Sequence, residues 1–388
     1  MKMLTGIALS AAVLSPLSVQ AEEGLDKLYG DFRLRLETVD QDNALKDATA
    51  LTLRSRLGYA TDSYNGFSAR VEVENNVALV DDYNDTNGNG AGFSVVPDPE
   101  FTELDQGFIQ YKGDALTAKL GRQVLTYDNH RFIGHVGWRQ DRQTFDGLSL
   151  AWKVADELTL NAAYLEKRNR IFANEKDIDS KDVLLNMAYS QGGGKLSAYA
   201  YLLEVDNNTQ NSLDTFGVRY AGKSKLAETA LSYVLEFATQ TNESGATSND
   251  TEYFLAELAA VVSGVKVTVG YELLGSENGA KAFSTPLATG HKFNGWADQY
   301  LAAPNEGLVD VYLSLGGKIA GGKWLLAYHD FAADESSATV DDLGSEINVL
   351  YARKFKGGFS GGIKYAAFSA GEIKVDTDKL WLWTGFKF

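Results

Sequence analysis

The chain has 388 residues with 38 glycines, 5 prolines, no cysteine and a formal charge of −16. The missing cysteines exclude a disulfide framework and a lipid-attachment site, and so acidic a balance excludes nucleic acid as a partner, which needs basic patches. Length alone suggests several soluble domains of about 150 residues, but abundant glycine, scarce proline, and 19 tyrosines beside 19 phenylalanines read as strands and turns.

Lys2 precedes an apolar run from Met3 to Leu17, closed by Val19, Gln20 and Ala21. This pattern predicts a secretory signal peptide over 1–21, cut after Ala21. Ser10, Ser15 and Pro16 interrupt the run, which falls short of the roughly 20 apolar residues of a spanning helix. No later stretch approaches that hydrophobic length, so any membrane span in the mature part, 22–388, must be a β-barrel.

Alternation begins at Asp31, with Phe32, Leu34 and Leu36 on one face and Arg33, Arg35 and Glu37 on the other. Period two marks a strand with unlike faces. Segments of this kind recur at 29–39, 49–61, 66–80, 101–113, 115–123, 142–154, 157–168, 181–191 and 194–206. A second set follows at 212–222, 225–239, 249–262, 264–276, 307–319, 322–333, 344–356, 358–369 and 377–388. Most exceed the ~10 residues of a tilted membrane strand, and together they predict an all-β, eighteen-stranded antiparallel transmembrane barrel.

Short turns such as Gly113–Asp114, Gln191–Gly194 and Ala320–Gly321 alternate with long connections near 81–100, 124–141, 169–180, 240–248, 277–306 and 334–343. With a periplasmic N-terminus, every long connection falls outside, the outer-membrane pattern. Tyr29, Tyr59, Phe67, Tyr111, Trp152, Tyr189, Tyr220, Trp324, Phe355 and Phe359 flank the short turns and read as an interfacial girdle. The last strand ends on Phe388, resembling the signal read by the barrel-insertion machinery. A secreted soluble β-sandwich or β-helix is the rival architecture.

On the first three strands the face opposite Phe32, Leu34, Leu51, Leu53, Leu57, Val71 and Val73 carries Arg33, Arg35, Arg54, Arg56 and Arg70. On the eleventh to fourteenth strands the same parity places Glu228, Glu236, Glu257, Glu272 and Asp310 inside, with Lys266 as the exception. These sets lie on opposite sides of an eighteen-membered ring, so a basic wall is expected to face an acidic one across a transverse field. The arginines could instead pair with Glu37, Glu72 and Glu74 nearby. Those left unpaired would suit passing carboxylate or phosphate groups.

Two long connections are too aromatic for solvated loops. One carries Tyr127, His130, Arg131, Phe132, His135, Trp138 and Arg139, the other His291, Phe293, Trp296 and Tyr300. Folding inward to constrict the lumen would bury them, whereas an extracellular binding surface would expose them. Asp128, His130 and His135 raise a catalytic reading, but no serine sits in a nucleophile elbow and no histidine pair has metal-ligand helix spacing. Asp85, Asn87, Asn89 and Gly90 open like a calcium loop, yet Val96 stands where its closing glutamate belongs. The residues therefore predict no enzyme and no cofactor.

The runs Gly121-Arg122-Gln123, Tyr127 through Gly134, Trp138-Arg139-Gln140 and Gln143 through Gly147, with Thr285 through Thr289 and His291 through Asp298, resemble the alginate-export family of outer-membrane porins. The resemblance implies a monomeric eighteen-stranded barrel with an arginine-rich constriction passing anionic sugars. Arg122, Arg131 and Arg139 join the inward arginines at the matching positions. The chain is shorter than the family's alginate exporter and has an acidic far wall. The expectation is therefore a passive porin for small polar or anionic solutes, such as organic acids or uronate oligosaccharides, in the bilayer of the outer membrane. Export of a polysaccharide such as alginate, an outer-membrane enzyme using His130 or His135, and an adhesion or receptor barrel are the alternatives.

Overall fold

A computed structural model describes residues 27–209 and 211–388, so the expected signal segment lies outside the described residues. The strands are β1 (Leu28–Gln41), β2 (Ala48–Ala60), β3 (Phe67–Asp82), β4 (Phe101–Lys112), β5 (Leu116–Gln123), β6 (Thr144–Lys153), β7 (Leu158–Asn169), β8 (Ile178–Gln191), β9 (Gly194–Glu204) and β10 (Asn211–Leu226). They continue as β11 (Thr229–Ser244), β12 (Thr247–Val262), β13 (Val265–Leu274), the two-residue pair β14 (Ser276–Glu277) and β15 (Lys281–Ala282), then β16 (Leu308–Ile319), β17 (Gly322–Ala332), β18 (Asp342–Lys354), β19 (Phe359–Ala370) and β20 (Thr377–Lys387). β14 and β15 pair only with each other; the others form one 18-stranded sheet.

Each strand pairs antiparallel with its sequence neighbour, and β1 also pairs β20 with Arg33 opposite Gly385. That last pairing closes the barrel and leaves the sheet no edge, the condition for crossing lipid with strands. Side chains alternate as the period demanded. Leu235 and Leu120 stand 53% and 62% exposed on the outer face, while Arg35, Glu37 and Arg54 on the inner face are at most 3% exposed.

Most of the girdle aromatics, including Tyr59, Phe67, Trp152 and Phe359, face outward. Tyr29 does not: it shares the inward parity of Asp31 and Arg33, and its ring lies over Gly58, where a Cβ would come within 2.2 Å of Cζ. The expected long connection at 240–248 is also corrected. β11 and β12 stay paired from Gln240–Thr251 to Ser244–Thr247, and the chain reverses through Gly245 at φ +61°, a conformation glycine adopts without steric cost. Sequence polarity hid the extension because this part of the hairpin is largely exposed.

Candidate functional site: two loops folded into the barrel

The loop from 124 to 143, between β5 and β6, turns into the lumen and is held there by wall arginines. Arg33 donates from Nε to Gln140 Oε1 at 2.9 Å, and from Nη2 to the carbonyls of Trp138 and Arg139 at 2.8 and 2.6 Å. Arg35 donates to the Trp138 carbonyl and to Asp98. Gln140 donates from its backbone to Asp98 Oδ1 at 2.8 Å and from its amide to Thr52 Oγ1 at 2.7 Å. In return Arg139 reaches Glu37 at 3.0 Å and Asp298 at 2.6 Å, and Arg142 engages Glu72 and Asp105. To follow this path Val136 takes φ +49°, a strained conformation for a β-branched residue that surrounding contacts must enforce.

The loop from 275 to 307 meets it from the opposite wall. Arg131 binds Glu272 at 2.8 Å and Asn294 Oδ1 at 2.9 Å. Asn294 donates onward to Glu272 at 2.7 Å and Asp310 at 3.2 Å. The backbone N–H groups of Trp296 and Ala297 donate to Glu346 at 2.5 and 2.9 Å. The two loops join through Gly134 N–H to Leu287 O at 2.8 Å and Lys292 Nζ to Asn129 O at 2.8 Å.

Aromatic packing adds to these contacts. The Trp138 ring stacks on His291 at 5.1 Å and meets Trp381 and Trp383 edge-on at 5.9 and 5.4 Å. Lys364 lies 3.8 Å from the Trp296 ring and 4.4 Å from that of Trp138, with Nζ 2.6 Å from His291 Nε2. Phe132 packs on Tyr199 and Tyr253 at 5.1 and 5.2 Å and on Phe283 at 5.9 Å. Such pairs contribute about 0.5–1.5 kcal/mol each beyond burial, so the loops are fixed furniture of the lumen.

Charge follows the same contacts. Burial would raise the Asp98 carboxyl, but Arg35 and Arg139 outweigh it and hold it below the usual range. Asp298 is likewise depressed, with His291, Lys379 and Arg139 outweighing burial. Burial lowers His130 to about 4, assisted by Lys292, and lowers His135 to about 3, assisted by Arg142 and His130. Both rings are therefore neutral near pH 7.

The charged residues expected on the two walls pair locally and with the loops. Arg54 pairs with Asp31 at 2.7 Å and Arg56 with Glu74 at 2.5 Å. Glu236 pairs with Arg219 at 2.6 Å, and Glu257 accepts from Tyr312 at 2.9 Å. Tyr127 stacks on Tyr201 at 6.2 Å, and the Phe293 ring lies under Arg131 at 4.8 Å.

Three residues leave their expected places. Arg70 lies toward the short turns between the rings of Tyr29 and Phe108, at 5.6 and 5.8 Å, away from the loops. Arg122 has the parity of outward Leu120 and binds Asp146 at 2.8 Å. Glu228 lies in the exposed turn after β10, because that strand runs four residues past the expected end at 222. Asp85, Asn87 and Asn89, which open like a calcium loop, bond to one another. Asp85 Oδ1 accepts the Asn87 and Asn89 N–H groups at 2.8 and 3.0 Å, and Oδ2 accepts the Asn89 amide at 2.7 Å. These bonds close the turn.

Sequence reasoning missed Asp98, Asp105, Arg142, Asn294, Asp298 and Lys364. Asp98 had a signal in its setting between Pro97 and Pro99, which fixes the backbone around it. The others show their roles only after distant strands and loops meet.

A family model described as alginate export matches residues 27–278. The chain belongs to the alginate export family. Its closed barrel with an apolar outer face places this family member in the bacterial outer membrane. Among solved structures it is similar to Acinetobacter baumannii OccAB4, with 16% identity, TM-score 0.73, and coverage of 94% of this chain and 98% of that one. It is similar to Pseudomonas aeruginosa OccK9 (OpdG), with 14% identity, TM-score 0.74, and coverage of 93% and 97%. Pseudomonas aeruginosa OpdK with vanillate gives 12% identity, TM-score 0.72, and coverage of 93% and 98%. These likenesses show the shared barrel fold. No curated protein matches the chain.

Proposed function

We propose that this protein is a passive outer-membrane channel for small polar and anionic solutes, with the short turns facing the periplasm and a single chain as the working unit. The observation that carries this is the pair of loops fixed inside the barrel by Arg33, Arg139 and Arg131. A barrel whose long loops are anchored inward has a narrowed lumen, which sorts solutes by size and charge. The bound vanillate of one similar structure makes an aromatic carboxylate of that size a sensible first probe.

The adhesion reading asks for aromatics displayed outward, but Trp138 and Tyr300 are buried. The enzymatic reading asks for an available base, whereas His130 and His135 pack against each other at 5.4 Å. The family description favours polysaccharide export as the second reading. Liposome swelling with sugars of increasing length separates the two. A channel for small solutes admits monosaccharides and vanillate and excludes longer chains; entry of long uronate chains would favour export.

A further inference from the structure

We propose that the short-turn end of the lumen is a binding collar for polyvalent anions, separate from the loop constriction. This rests on the channel reading above. On the eighteen barrel strands, the two inward positions nearest the short turns hold eleven lysines and Arg70, against one strand carboxylate, Asp31, with Asp128 and Asp156 reaching Lys195 and Lys153 from a loop and a turn. Parity follows from the register, since Lys318 is the partner of Lys323, Lys323 of Ala352, and Lys266 of Gly316.

Lys223, Lys225, Lys318, Lys323 and Lys354 are exposed and Lys266 half-buried, and among the described residues none of these six makes an ion pair. Lys318 and Lys323 stand directly opposite each other across two strands, where like charges destabilise a sheet. The constriction arginines, by contrast, are occupied by Glu37, Glu74, Asp98 and loop carbonyls. The free positive charge of the lumen is therefore concentrated in the collar.

Four stretches of the opposite rim carry the reverse sign. Segments 81–97, 204–214, 243–252 and 330–342 contain fourteen carboxylates and no lysine or arginine. The channel thus has an axial field that gathers anions at the short-turn mouth and repels them at the other. Neighbouring strands lie about 4.8 Å apart and alternate residues along one strand about 7 Å apart, so several ammonium groups can engage one molecule. The ligand is a short chain bearing closely spaced negative charges. Lysines on flexible stems suit carboxylate or phosphate chains alike.

The test uses the full chain in planar bilayers, with orientation fixed by one-sided protease cleavage of the long loops. Trigalacturonate, tripolyphosphate and uncharged maltotriose are added to one side at a time. Both anions should block current at concentrations at least tenfold lower from the short-turn side, and maltotriose should show no sidedness. The variant K223Q/K225Q/K318Q/K323Q should conduct normally and lose that difference. Sided block by trigalacturonate alone would keep the collar and narrow its ligand to carboxylate chains. Equal block from both sides, or sidedness unchanged in the variant, overturns the collar. Calorimetric binding of tripolyphosphate to detergent-solubilised native and variant protein reads the collar without current. A channel that fails to conduct yet binds there refutes only the channel reading, and equal binding by native and variant protein refutes the collar.

Discussion

Arg33 Nη2 on the barrel wall donates to the Arg139 carbonyl at 2.6 Å, across a sequence separation of 106, while the Arg139 side chain turns back to Glu37 at 3.0 Å. Wall and loop therefore each supply an arginine to the other. The arginines of this wall hold the constriction in place before they meet any solute.

Arg139→Ala should release the loop, because it leaves Glu37, Asp98 and Asp298 short of a cation in a buried site. Breaking such a pair costs about 3–5 kcal/mol. Limited proteolysis should cut within 124–143 far faster than in the native protein, while the barrel keeps its heat-modifiable mobility on gels. Unchanged cleavage would show that Arg139 does not anchor the loop.

The constriction should loosen in acid. The His130 and His135 values are depressed, to about 4 and about 3, so a released loop binds protons more readily than a docked one. Docking is fully stable above about pH 6.5 and weakens as pH falls toward 4. The cations facing these rings, Lys292, Arg142 and Arg56, oppose protonation in the docked state. Single-channel current noise should rise between pH 6.5 and 4 and stay flat in His130→Phe/His135→Phe.

Calcium should not stabilise the loop that carries Asp85, whose carboxylate already accepts three hydrogen bonds that close the turn. Adding calcium or a chelator should leave the melting temperature unchanged, whereas Asp85→Ala should increase proteolysis near Asn87. A chelator-sensitive transition lost in Asp85→Ala would reinstate the metal.

The outer face is open to a direct energetic test. Leu235→Arg places a charge midway along β11 on the lipid side, where arginine costs about 2–4 kcal/mol at the bilayer midplane. Urea titration during folding into vesicles should show that loss, and Glu236→Gln on the opposite face should not mimic its dependence on bilayer thickness.

The barrel was legible because a strand has only two faces, and lipid forces one of them to be apolar along the whole chain. Phe32, Leu34 and Leu36 against Arg33, Arg35 and Glu37 already contain that information. Partnership was not legible. Arg131 reads as one more pore arginine until β13 brings Glu272 and the second loop brings Asn294 beside it. Arg122 misled because its neighbours resemble those of the inward loop, whereas its strand register sets it beside Asp146. The lysine collar was hidden by distance: its members are scattered over most of the sequence and share a place only once the ring closes.

Planar-bilayer recording of the purified protein beside Trp138→Ala tests the central claim most directly. Trp138 stacks on His291 and meets Trp381 edge-on at the junction of both loops, and its truncation removes about 3–5 kcal/mol of packing. A channel constricted by these loops gives stepwise currents in the native protein and larger steps in the variant. Absence of steps in both proteins, or identical steps in both, would contradict it.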